Sequence, residues 1–127
     1  METSLEFLDK GLRALGLIDR PKRIIGYSQG EFIAPFVGQR LPNILQVVGV
    51  ACEFYSHQIS GEISFPIDAI HGDQDLVVKH ARGLETHQEL IKLGIEGTFH
   101  TLPGAGHELS SQVGHKICEL IQMRRKT

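Results

Sequence analysis

The sequence predicts an α/β fold, a parallel sheet of about four strands flanked by helices, in a single domain of 127 residues. Three observations predict it. Short apolar runs alternate with longer segments whose apolar residues recur every three or four positions, the pattern of strands joined by helical crossovers. The run Leu45 to Ala51 is almost continuously apolar, which suits a parallel strand covered on both faces. Three of the apolar runs end in glycine-bearing turns: Gly26-Tyr27-Ser28-Gln29-Gly30, His71-Gly72-Asp73-Gln74-Asp75 and Pro103-Gly104-Ala105-Gly106-His107.

In chain order, Ser4 to Leu17 reads as a helix. Leu5, Leu8, Leu12 and Leu15 make one apolar stripe, Thr3 and Glu6 have the spacing of a capping box, and Gly16 supplies a stop. Lys22 to Tyr27 is a strand. Gln29 to about Leu41 is a helix burying Phe32, Ile33, Phe36 and Val37, with Pro35 expected to kink it. Leu45 to Ala51 is the next strand, and Glu53 to Phe65 a polar loop. Phe65 to His71 is a strand, and Val78 to Leu93 a helix with Ala81, Leu84, Leu90 and Ile91 inward, closed by Gly94. Gly97 to Leu102 is the last strand. Ser110 to Met123 is the last helix, with Val113, Ile117, Leu120 and Ile121 as its stripe.

Composition narrows the function. The net charge is −2, and the one basic cluster, Arg124-Arg125-Lys126, suits a helix C-terminus, so nucleic acid is not an expected partner. No apolar run is long enough to cross a membrane, and the first residues lack a signal-peptide pattern. The two cysteines, Cys52 and Cys118, lie in apolar stretches and read as small buried hydrophobes in a reducing compartment, so a cytoplasmic location is expected. No two histidines have a recognised ligand spacing beside a carboxylate, and no metal or other cofactor is expected.

The chemistry centres on Ser28. A serine at a sharp strand-to-helix turn, with glycine two positions before and two after, is free of neighbouring side chains and stands beside the N–H groups of a helix start. The same serine in isolation could be a helix N-cap. A nucleophilic serine needs a base within hydrogen-bond reach and a group to orient that base. His107 is the one histidine of seven in a glycine-rich turn after a strand, and Asp73 and Asp75 are both candidates for the acid.

The order Ser, Asp, His and the three quoted motifs resemble the α/β-hydrolases, and within them the carboxylesterase, lysophospholipase and acyl-protein thioesterase branch. The resemblance runs from about Arg23 to the C-terminal helix. It implies Ser28 as nucleophile, His107 as base and Asp75, four residues after the histidine of the His-Gly pair, as the acid. It implies the Gln29 N–H as an oxyanion donor and a small ester or thioester as substrate. Asp73 is then a turn-former bonded to its own backbone, and His71 packs beneath the turn. One position departs from the branch: Glu31 stands where relatives carry a small residue.

The resemblance covers only the C-terminal half of the α/β-hydrolase fold, so the chain reads as a truncated domain without the strands that precede the elbow. The strand Lys22 to Tyr27 would be a bare apolar edge, which invites pairing with another chain. A fragment, a half-size hydrolase and one part of a sheet-completing assembly are all compatible with this, and a homodimer is the expectation for the chain alone. Two functions follow: a Ser-His-Asp esterase or thioesterase, or a weakly active or inactive interaction module that needs a partner to complete the sheet.

Overall fold

The computed structural model of the protein describes residues 10–27, 41–56 and 62–125. Four strands form one parallel sheet in the order β1 (Lys22–Tyr27), β2 (Ile44–Val50), β3 (Ile67–Gly72) and β4 (Phe99–Leu102). Helix α1 (His80–Lys92) connects β3 to β4, and helix α2 (Ser111–Arg125) follows β4. This is the α/β architecture the sequence predicts. Among the described residues, β1 is one edge of the sheet, and its Ile25 side chain is 48% exposed.

Alternation along the strands divides the core in two. Val47, Ile67 and Ala69 point to the α1 side, where they meet Leu90, Ile95, Phe54 and Phe65. Val48, Val50 and Ile70 point to the α2 side, where they meet Leu102, Ala105, Val113 and Leu120. A helix on each face is why β2 and β3 are apolar nearly throughout. A smaller cluster of Ile18 and Leu41, with Leu12 against it, closes the lower end of β1. There the Lys22 ammonium donates to the carbonyls of Ile18, Arg20 and Pro42.

One charge is buried within the α2 face. Asp68 accepts from Arg124 Nη2 (2.7 Å) and Nε (3.0 Å), from Gln46 Nε2 (2.7 Å), and from the Thr98 N–H (2.9 Å) and hydroxyl (2.8 Å). Burial would raise this carboxyl; Arg124, Gln46 and Thr98 outweigh it and hold it below the ordinary carboxylate range. The pair ties the end of α2 to the middle of the sheet.

Three sequence expectations need correction. The buried face of α1 is Gly83, Thr86, His87 and Leu90, while Ala81 and Ile91 are exposed and Leu84 is half-buried. Polar residues can face inward because each has a partner. Thr86 accepts from the Phe54 N–H (3.0 Å) and donates to the Arg82 carbonyl (2.7 Å), and His87 Nε2 donates to the Ile67 carbonyl (2.8 Å). Leu15 is 73% exposed, since the helical backbone ends at residue 14 and Gly16 takes a positive φ of 71° just beyond it. Cys118 is exposed rather than buried; it follows Ile117 by one residue on α2 and is turned about 100° off the inward stripe, whereas Cys52 is buried as expected. Gly94, with φ of 90°, follows α1 as the stop the sequence predicts. The helix expected from Gln29 to about Leu41, with Pro35, lies outside the described residues except for Leu41, which is a buried bend rather than helix, and Leu5 and Leu8 lie outside them too.

Candidate active site

The C-terminal ends of the four strands lie side by side, the usual place for a site in a parallel α/β sheet. β1 ends at Tyr27, β3 runs into the turn that carries Asp75, and β4 runs into the turn that carries His107. Ser28, Gln29, Gly30 and Glu31 follow directly on Tyr27 and lie outside the described residues.

Close approach of the last two turns sets the geometry. A side chain at Gly72 would collide with the Ala105 carbonyl, so only glycine lets the turns meet. They are laced by Gln74 N–H to the Ala105 carbonyl (2.9 Å) and Gly104 N–H to Asp73 Oδ1 (2.8 Å), with Gly104 at φ 75°. The side chain of Asp73 thus binds the facing turn rather than its own backbone.

Asp75 and His107 are brought together. His107 Nδ1 lies 2.8 Å from Asp75 Oδ2, with the carboxylate fully buried and the imidazole 15% exposed. The other oxygen, Oδ1, accepts the N–H groups of Val77 and Val78, each at 2.8 Å. Burial raises the Asp75 carboxyl, but His107 and the N–H groups of Val78 and Val77 outweigh it and keep the group below the ordinary carboxylate range. Asp75 is therefore an ionised, fixed acceptor. A carboxylate acceptor places the proton on His107 Nδ1, the tautomer a general base requires of this nitrogen.

Tyr27 joins β1 to the pair. Its hydroxyl donates to the His107 carbonyl (3.0 Å), and its ring lies 5.3 Å from the imidazole at a 36° tilt. The residue immediately before Ser28 thus touches the residue that would serve it as base. Sequence reasoning placed Tyr27 in the serine motif but gave it no part; a hydroxyl on an aromatic at a strand end was the available signal.

His71, expected to pack beneath the acid turn, does so with its side chain 1% exposed. Burial holds its imidazole below the ordinary range, against the opposing pull of the Val78 carbonyl and Asp75. A cleft of about 510 Å³ lies at the opposite end of the sheet, lined by Leu41, Ile44, Glu62 and Phe65, and is remote from this pair. Among the described residues no three His, Cys, Asp or Glu side chains converge as metal ligands would, and no helix is long and apolar enough to cross a membrane.

The chain is similar to known proteins over most of its length. The phospholipase/carboxylesterase family matches residues 6–124. Lysophospholipase-like protein 1 of Mus musculus is 43% identical over 138 residues, an alignment covering 94% of this chain and 58% of that protein. Acyl-protein thioesterase 1 homolog 1 of Dictyostelium discoideum is 35% identical, covering 72% of this chain and 44% of that protein. Among solved structures, esterase PE8 superposes with a TM-score of 0.79 at 26% identity, over 94% of this chain and 57% of the other. The Bacillus cereus carboxylesterase superposes with a TM-score of 0.77 at 20% identity, again over 94% and 57%. The fold is the C-terminal part of an α/β-hydrolase sheet, and the chain spans about half the length of the curated relatives it matches.

Proposed function

Because this chain belongs to the phospholipase/carboxylesterase family, we propose that it is a serine hydrolase of carboxylic esters or thioesters. The observation that carries the proposal is the 2.8 Å contact from His107 Nδ1 to the buried Asp75 carboxylate, at the strand ends where the chain enters Ser28. In this reading Ser28 Oγ attacks the acyl carbon as His107 Nε2 takes its proton. Asp75 stabilises the imidazolium, and the Gln29 N–H donates to the oxyanion. His107 returns the proton to the leaving alcohol or thiol, and the acyl-enzyme forms. Water then attacks the acyl carbon by the same route, releasing the acid and restoring Ser28.

Fluorophosphonate labelling tests this reading. Covalent modification that maps to Ser28 and disappears in Ser28→Ala is the expected result; a folded chain that stays unlabelled, or labelling that survives in Ser28→Ala, contradicts it.

A second reading, an interaction module that needs a partner to complete the sheet, is favoured by the β1 edge and the exposed Ile25. The two readings meet if the edge is covered by a second copy of the chain. A solution mass of two chains is then expected, and a mass of one chain contradicts that pairing. A cytoplasmic site of action belongs to the same proposal, since two thiols, a buried Cys52 and an exposed Cys118, suit a reducing compartment.

A further inference from the structure

We propose that His71 is a positioning residue for the acid, a buried imidazole whose Nε2–H closes the Asp75 turn and holds the carboxylate in the orientation that receives His107. The inference rests on the reading of Asp75 and His107 as a working pair.

His71 is the last residue but one of β3, and its ring reaches the far side of the turn that follows. Its Nε2 lies 2.7 Å from the Val78 carbonyl and 3.3 Å from Asp75 Oδ2. A carbonyl and a carboxylate only accept, so Nε2 carries the hydrogen. Nδ1 faces α1 at Gly83, where any Cβ would collide with it. Phe99 of β4 stacks on the ring at 6.3 Å, and His80 of α1 meets it edge-on at 5.7 Å. The titratable groups facing it are Asp75, His80 and His107.

These contacts form a closed circuit. Asp75 Oδ1 is held by the N–H groups of Val77 and Val78, and the Val78 carbonyl is held by His71. Oδ2 has His107 at 2.8 Å and His71 at 3.3 Å. Four N–H groups thus surround the carboxylate, whose lone pairs offer about four places. With the His71 N–H removed, the Val78 carbonyl loses a buried partner. The segment whose N–H groups grip Oδ1 then loosens, and Oδ2 is free to swing off the line to His107. Packing alone would require a ring at this position but no N–H.

The test compares His71→Phe, which keeps a ring without the N–H, with His71→Gln, whose amide N–H stands near the place of Nε2–H. The first readout is the carboxylate-bound His107 Nδ1–H proton in NMR, assigned by its loss in His107→Gln, which needs neither Ser28 nor turnover. The expected result is a downfield signal in the native chain, faster solvent exchange or loss of the signal in His71→Phe, and recovery in His71→Gln. In ester hydrolysis, His71→Phe is expected to lower kcat about tenfold or more with KM unchanged, since misplacement of a catalytic group acts on the transition state. If His71→Phe does not fold, Gly83→Ala displaces the ring from the α1 side and is expected to speed the same exchange. An unchanged Nδ1–H signal in folded His71→Phe or Gly83→Ala overturns the proposal. Absence of the signal from the native chain overturns the Asp75–His107 pair itself, and with it the hydrolase reading.

Discussion

The Tyr27 hydroxyl donates to the His107 carbonyl at 3.0 Å, joining residues 80 apart in sequence. Through it, the end of β1 is fastened to the turn that carries His107, the base of the proposed reading. Removing the hydroxyl in Tyr27→Phe leaves the ring contact at 5.3 Å in place. A lost net hydrogen bond costs about 1 kcal/mol. The expected outcome is a small drop in urea midpoint with a several-fold fall in kcat, read from parallel denaturation and ester-hydrolysis curves.

Asp75→Asn keeps the shape of the acid and removes its charge. An amide can present its NH2 group to His107 and favour the wrong tautomer, for which the handicap in triad enzymes is about ten thousandfold in kcat. The same order of loss is expected here, with the near-native circular dichroism of a folded chain. Retention of more than a tenth of kcat would separate Asp75 from the chemistry.

Arg124→Ala strips the buried Asp68 of two of its donors, leaving Gln46 and Thr98 to hold a carboxylate inside the α2 face. Breaking one side of a buried pair costs about 3–5 kcal/mol. Urea unfolding is expected to show a loss of that size, and Asp68→Asn combined with Arg124→Ala is expected to recover part of it.

Stability is expected to fall with acid in two steps. His71, His87 and His100 are each held below the ordinary imidazole range by burial. The unfolded chain therefore binds protons first. Stability is full above about pH 6.5 and is lost as pH falls from there through the folded values. Asp68 and Asp75, depressed by their donors, contribute stability that is full above about pH 3.9 and is lost as pH falls below it. Urea midpoints from pH 8 to pH 3 measure both steps. His87→Gln, which can keep a donor to the Ile67 carbonyl, is expected to shrink the first.

The strands and both turns of the Asp75–His107 pair were legible because each has a local signature. The apolar run through Val47 and Val48 announces a doubly covered strand, and the glycines at 72 and 104 mark turns, whose mutual contact only the folded chain shows. The inward face of α1 was not legible. Hydropathy favours Ala81 and Ile91, whereas Thr86 and His87 face inward because Phe54 and Ile67 offer backbone partners that only the folded chain assembles. The place of His71 beneath the turn was legible, but the hydrogen bonds of Tyr27 and His71 were hidden for the same reason. Their partners, the His107 and Val78 carbonyls, are backbone atoms that no residue-type pattern records.

The most direct test of the central claim is hydrolysis of a short p-nitrophenyl ester by the purified chain beside Ser28→Ala and Asp75→Asn. Turnover that vanishes in Ser28→Ala and falls about ten thousandfold in Asp75→Asn is the predicted result. A folded chain without turnover, or turnover equal in all three proteins, would contradict it.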